Sequence, residues 1–326
     1  MTRHLWFLLL AVLGVSGCGL TANQRAATTK FADAATAFGD ASANELTKMR
    51  DQTVAMNLAL YRIPDPPSTK ANPNESAAVA YIEHCKKVGH AVVSAGATEK
   101  PCEYDNLAAD FSGDWFETFL SGPQVMKAYG AALSGIMNAD SKDDIKKSSD
   151  DLAAALQAIP GSPAANASAD AISDLAQQLT ELILDNMKAH AIHAVVESTK
   201  NTVPIICKTV GDNFSLERDG FAFRFRNTAA QLAIASGQAI NANPRDRLAR
   251  SDSLSGYLLA RQNLEEVDTA FPEIQKSAAA CVAANTALVN ALQNTTFNRH
   301  DIEEFYAAAL TAASNVGSLK SHTSQN

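Results

Sequence analysis

Aromatic residues make up only 6% of the 326 residues, which leaves few large rings to fill a core. Alanine is abundant instead, and alanine is the best helix former. A core built from it is thin and suits helices packed closely side by side. Lysine and arginine form no cluster, and a formal net charge of −8 repels phosphate backbones, so nucleic-acid binding is excluded as a natural role. The same charge disfavours lying on anionic lipid. No C-x₂₋₄-C pair exists, which argues against a cysteine-zinc site. There is no G-x-S-x-G elbow, no phosphate-cradling glycine loop and no catalytic cysteine–histidine signature, so neither an enzyme nor a cofactor is expected. Two carboxylate pairs, Glu265-Glu266 and Glu303-Glu304, are present. Helix neighbours point in different directions, and both pairs are expected on solvated faces. The apolar run Leu5–Val15 is too short to span a bilayer, and no apolar hairpin downstream is long enough to do so.

That run nevertheless has a context. Arg3 and His4 precede it and Val15-Ser16-Gly17-Cys18 closes it, the layout of an export signal. The V-S-G-C ending resembles the lipobox of bacterial lipoproteins, over residues 1–18 only. The resemblance implies a diacylglyceryl thioether on Cys18, cleavage before it and an acylated new N-terminus. The membrane contact is then the lipid itself. Gly19, rather than aspartate, follows the cysteine; in the Gram-negative class this implies sorting to the outer membrane, facing the periplasm. The rest of the chain resembles no family.

With Cys18 lipidated, Cys85, Cys102, Cys207 and Cys281 remain. An even number in an exported chain suggests two disulfides. Three connectivities are open in principle. The expected one pairs Cys85 with Cys102 across a short loop and Cys207 with Cys281 between two long helices.

Periodicity supplies the fold. Phe31, Ala35, Phe38, Ser42, Glu45, Met49, Thr53, Met56, Leu60 and Ile63 recur at three- and four-residue steps, one face of a helix of about forty residues ended by Pro64. Asn74 suits the N-cap of a helix over 75–95. Ser121-Gly122-Pro123 is expected to start another, reaching about Ala139, with proline at its favoured first position. Ser141 and Asp144 resemble a capping box opening a helix over 142–159. Pro160–Asn166 is expected to be a loop. Ile172, Leu175, Leu179, Leu182, Asn186, Ala189, His193 and Val196 form a heptad seam, predicting one continuous helix over 168–203 that Pro204 kinks or ends. Phe221, Phe223 and Phe225 alternate with Ala222, Arg224 and Arg226. A short strand, or an inserting tongue, is the alternative there to a helix continuing through Leu232 and Ala239. Asn243-Pro244 opens the longest segment, to Asn294, whose seam runs Leu264, Val267, Phe271, Ile274, Ala278, Cys281, Asn285, Leu288 and Leu292, with a bend expected at Pro272. Asn298 and Asp301 precede a last helix over 301–319.

The expected architecture is all-α, an elongated antiparallel bundle with long coiled-coil-like helices. Its parts are a signal peptide (1–17), a tether (18–23), a single helical domain (24–319) and a disordered tail (320–326). Two clusters are candidates for function. Tyr104, Phe111, Trp115, Phe116 and Phe119 lie among carboxylates, either as core filling or as a partner patch. His190, His193 and Glu197 share one helical face, where a divalent metal is the alternative to a buried, hydrogen-bonded histidine. The functional expectation is a non-catalytic, lipid-anchored structural or partner-binding protein of the bacterial envelope. The alternatives are a membrane-acting protein resembling α-helical pore-forming toxins in architecture and a metal-binding protein.

Overall fold

The computed structural model describes residues 19–63, 113–159, 162–178, 183–217, 221–242, 245, 247–293 and 298–323. Every regular element among them is an α-helix, and no strand occurs among them. The chain is all-α. The helices are α1 (Ala22–Arg62), α2 (Gly113–Met137), α3 (Lys142–Gln157), α4 (Pro163–Gln178), α5 (Leu184–Thr199), α6 (Thr202–Asn213), α7 (Phe221–Ala242), α8 (Arg247–Leu292) and α9 (Arg299–Thr323). Among the described residues, no helix is long and apolar enough to cross a membrane. The expected elements at residues 1–18 and 64–112, including Cys18, Cys85, Cys102, Tyr104 and Phe111, lie outside the described residues. The chain divides into two compact units. Unit 1 comprises Met1–Ala43, Leu120–Gly211 and Glu273–Asn326; unit 2 comprises Asn44–Phe119 and Asp212–Pro272.

In unit 1 the chain is fastened from its first described residues. Leu20 is buried. The Thr21 hydroxyl accepts from the Gln24 backbone N–H at 3.2 Å, and the Gln24 side-chain oxygen accepts from the Thr21 N–H at 2.8 Å. This reciprocal cap satisfies two donors that a helix start otherwise leaves orphaned. The other end of the Gln24 amide donates to the carbonyls of Ala291 and Leu292, at 3.1 and 3.2 Å, in the last turn of α8.

Phe31, Ala35 and Phe38 of α1 are fully buried, as their spacing predicts. Phe31 meets Tyr129 edge-on at 5.9 Å and Phe305 at 5.4 Å, and Phe38 meets Phe305 at 6.0 Å. The Tyr129 hydroxyl, buried with them, is bonded to Thr199 Oγ1 at 3.2 Å. Glycine sets how closely α1 and α2 approach. A Cβ on Gly39 would lie 2.5 Å from the Lys127 nitrogen and 2.6 Å from the Pro123 carbonyl oxygen. One on Gly130 would lie 2.7 Å from the Thr36 nitrogen. Residue 39 opposite 123–127 and 130 opposite 36 make this pair antiparallel.

Proline positions separate expectation from structure. Pro123 lies inside α2 rather than at its start. A helix-interior proline costs about 3 kcal/mol, and upstream burial of Phe116 and Leu120 offsets it, since each buried ring or Leu contributes roughly 1.5–3 kcal/mol. The loop expected over 160–166 is shorter, because Pro163 opens α4 and the Ser162 hydroxyl accepts from the Ala165 N–H at 3.3 Å. Ser141 does cap α3: its hydroxyl accepts from the Asp144 N–H at 3.2 Å and donates to the Asp144 carboxylate at 2.8 Å.

The continuous helix expected over 168–203 is three helices, α4, α5 and α6. Ile183 takes extended backbone (φ −66°, ψ 145°) as the N-cap of α5. The second break, at 200–201, precedes Pro204, which falls in the first turn of α6. Pro204 has no N–H to give the carbonyl four residues back, and its ring clashes there. That carbonyl is Lys200's, and it accepts instead from the Asn285 side chain of α8 at 3.1 Å. One turn from Asn285, Cys281 is joined by a disulfide to Cys207 of α6, with Cα atoms 6.1 Å apart. Both sulfurs are fully buried.

On α8 every seam residue from Val267 to Leu292 is buried. The helix starts at Arg247, later than the expected Asn243-Pro244, and Pro272 lies within it. α9 starts two residues early, at Arg299, after Asn298, whose side-chain oxygen accepts from the His300 N–H at 3.1 Å. It runs to Thr323, past the expected tail boundary.

Unit 2 has its own ring cluster. Phe116 and Phe119 lie 6.0 and 5.0 Å from Phe221, while Phe214 and Phe225 lie 5.5 and 6.1 Å from Phe271. The Arg50 guanidinium sits over the Phe116 ring at 4.9 Å, a cation–π contact. Phe221 and Phe225 are buried in the helix α7; the strand or tongue does not form, because period four places both rings inward with Leu232 and Ala239.

Gly39→Ala is expected to destabilise the chain by on the order of 1–3 kcal/mol, although alanine is the better helix former by about 1 kcal/mol. Urea unfolding checks it; an unchanged or higher midpoint contradicts the backbone approach. Cys281→Ser is expected to cost about 2–4 kcal/mol, and non-reducing peptide mapping should recover Cys207 linked to Cys281.

Candidate functional site

The chemistry most out of place in the described residues is in unit 2. Glu45 stands on the apolar stripe of α1 between Phe38 and Met49 and is fully buried, and Glu266, beside Val267 on α8, is buried as well. The Lys48 ammonium, one turn along α1 from Glu45 and itself largely covered, is ion-paired with Glu266. Neither carboxyl oxygen of Glu45 receives a hydrogen bond from any described donor; what faces it is a second carboxyl. Asn263, one turn before Glu266, is also buried, with its amide nitrogen unmatched.

An isolated carboxylate cannot be taken out of water cheaply, and it keeps its proton instead. Burial, first, and then the neighbouring Glu266 raise the Glu45 pKa well above the ordinary carboxylate value, and Lys48 opposes this. A proton on Glu45 leaves a neutral group beside the Lys48–Glu266 ion pair. Loss of the Glu45 proton leaves a buried net negative charge.

Glu266 departs from the solvated face expected for Glu265-Glu266. Only Glu265 is exposed, whereas Glu303 and Glu304 are both on the surface. Glu303 pairs with Lys30 at 3.2 Å and Arg299 at 3.1 Å. The signal for Glu45 was a carboxylate at an inward-facing step; for Glu266 it was adjacency to the seam residue Val267.

The other candidate residues are placed as follows. Phe116 belongs to the core of unit 2, and Phe119, half-buried, packs on Phe221; the Trp115 side chain lies outside what is described. His190 is exposed and His193 half-buried on α5. Burial, and then the charge of His190, lower the His193 pKa. The Glu197 carboxylate is taken up by Lys200 and, at 3.2 Å, by the Gln293 amide. Among the described residues no group of three or more His, Cys, Asp or Glu is placed to hold a metal ion. Asn186, a member of the expected seam, is half-exposed; Asn285 is the seam amide that is buried and bonded across helices. In unit 1, clefts of about 100 Å³ beside Lys30 and Arg299 and about 60 Å³ beside Leu20 and Lys188 are below the roughly 300 Å³ that small-molecule sites need.

These observations define a helical protein with a disulfide-linked unit and a largely buried cluster of two carboxyls and a lysine. No protein-family model matches the chain, and neither does any curated protein or solved structure.

Because Glu45 holds its proton more firmly in the fold than in the unfolded chain, its contribution to stability is fully present below the ordinary carboxylate value of about 4.5 and is lost as pH rises through the raised value. Glu45→Gln, isosteric and neutral, is expected to be the more stable protein at pH 8. Its advantage over the parent in urea midpoint should shrink steadily toward pH 4.5. Parallel midpoint profiles for the two proteins would contradict the protonated Glu45.

Proposed function

We propose that the chain is a lipid-anchored structural or partner-binding protein of the bacterial cell envelope, acting without catalysis. The observation that carries this reading is Val15-Ser16-Gly17-Cys18 closing the apolar run Leu5–Val15. Gly19 supports an outer-membrane address facing the periplasm. Two structural facts favour the same reading. Leu20 is already buried and Thr21 already caps α1, so a lipid on Cys18 joins the folded body through scarcely any linker. The buried disulfide between Cys207 and Cys281 suits an oxidising compartment. Among the described residues the Glu45–Glu266–Lys48 cluster is largely covered, which fits a holding role better than turnover.

The test is the mass of the chain recovered from the membrane fraction. A diacylglyceryl modification on Cys18 is expected, with residues 1–17 removed. Cys18→Ser should leave the precursor uncleaved or release a soluble product. An unmodified Cys18 on the membrane-bound chain would remove the proposal's foundation.

A further inference from the structure

Four of the nine large apolar side chains that stand strongly exposed among the described residues fall within eleven residues of α8. They are Leu248 (79%), Leu254 (50%), Tyr257 (37%) and Leu258 (59%). Over the same turns Ser253, Gly256, Ala260 and Asn263 face inward. The inward side is fixed closely: a Cβ on Gly256 would lie 2.8 Å from Ser236 Oγ of α7. The outward side is a second seam. Arg247, Ser251, Leu254, Leu258, Arg261 and Glu265 follow one another at steps of four and three, and all six are exposed. The stripe is about 27 Å long at 1.5 Å per residue and lies wholly within unit 2. Among the described residues, no ion pair engages Arg247, Arg261 or Glu265.

We propose that this outer stripe of α8 pairs antiparallel with the same stripe of a second copy of the chain, about a two-fold axis at the level of Gly256. The charge pattern is what selects that occupant. Reversed against itself about residue 256, Arg247 meets Glu265, Ser251 meets Arg261 and Leu254 meets Leu258. Each contact occurs twice, as a two-fold interface requires. These are the alternating layers of an antiparallel coiled coil. No like charges oppose one another in this register. A parallel pairing instead sets Arg247 on Arg247 and Glu265 on Glu265. An anionic bilayer meets Glu265 unfavourably, and an acidic partner helix leaves it without a counter-charge. Tyr257 flanks the seam beside the axis and faces its own symmetry mate. Two helix faces of this length fall near the small end of stable interfaces, about 1,000 Å², so the dimer is concentration-dependent.

The test uses the full chain in cells, with p-benzoylphenylalanine in place of Tyr257. Ultraviolet light should yield a covalent species of twice the chain mass, and peptide mapping should place the crosslink between two copies of α8. Arg247→Glu or Glu265→Arg alone turns both symmetric ion pairs repulsive and should cut the dimer by at least about tenfold. Arg247→Glu combined with Glu265→Arg should restore it to within about threefold of the parent. Far-UV circular dichroism of the single variants must stay helical; unfolding of a single variant leaves the double reversal as the deciding arm. Crosslinks only to lipid or to another protein, no crosslink at all, or failure of the double reversal to restore the dimer would each overturn the pairing.

Discussion

The closeness of α1 and α2 is the constraint on which the rest of unit 1 depends. Gly39 and Gly130 let one backbone come almost onto the other, and no residue with a Cβ fits at either place. Helices that near bury small residues completely, so alanine at 32, 34 and 35 becomes core, although an exposed alanine contributes little. The few large rings are then spent where helices must diverge. Phe31, Phe38, Tyr129 and Phe305 meet beside the glycine contact. The low aromatic content and the fold agree: where helices approach this closely alanine fills the space, and the rings gather where it widens.

A thin core specifies axial register weakly, because sliding one alanine face along another changes little. Directional contacts supply what apolar packing does not. Pro204 frees the Lys200 carbonyl, Asn285 takes it up, and a turn away the sulfur bridge joins the same two helices. A proline, an amide and a sulfur bridge thus fix the start of α6 and the turn before it against one level of α8. In unit 2 the comparable device is ionic, with Lys48 reaching Glu266 while Glu45 lies beside them. A buried charged group is weak evidence for stability and better evidence that one arrangement is preferred over its neighbours.

Much of the inward pattern was legible from the sequence. The α1 stripe from Phe31 to Met56 and the α8 seam from Val267 to Leu292 are buried residue for residue, because period reports which side chains face inward. Period does not report whether the backbone between them is continuous. The seam from Ile172 to Val196 keeps its spacing across the extended Ile183, so a broken helix reads as a whole one. Pro123 failed as a helix start for the opposite reason: a strong local rule lost to burial of Phe116 upstream. The buried carboxylates were half visible. Glu45 occupied an inward step in plain sight, whereas Glu266 was obscured by its pairing with exposed Glu265, since a rule about neighbours on a helix cannot say which of them faces in. The outer stripe of α8 went unread because the seam of large inward residues begins only at Val267, while over the turns before it the inward side is Ser253, Gly256, Ala260 and Asn263, too small and polar to mark which face is which.

The Gln24 amide has a mechanical meaning. It grips the Ala291 and Leu292 carbonyls while Leu20 is buried and the Arg25 guanidinium holds the Leu20 carbonyl at 3.1 Å. A pull on the chain at residue 20 therefore meets no slack. Load passes at once from the start of α1 into the end of α8, through two bonds sharing one side chain, before any helix lengthens. Under such a pull the first contacts to be loaded are the two bonds of the Gln24 amide and the Arg25 hold on Leu20, ahead of the apolar packing behind them.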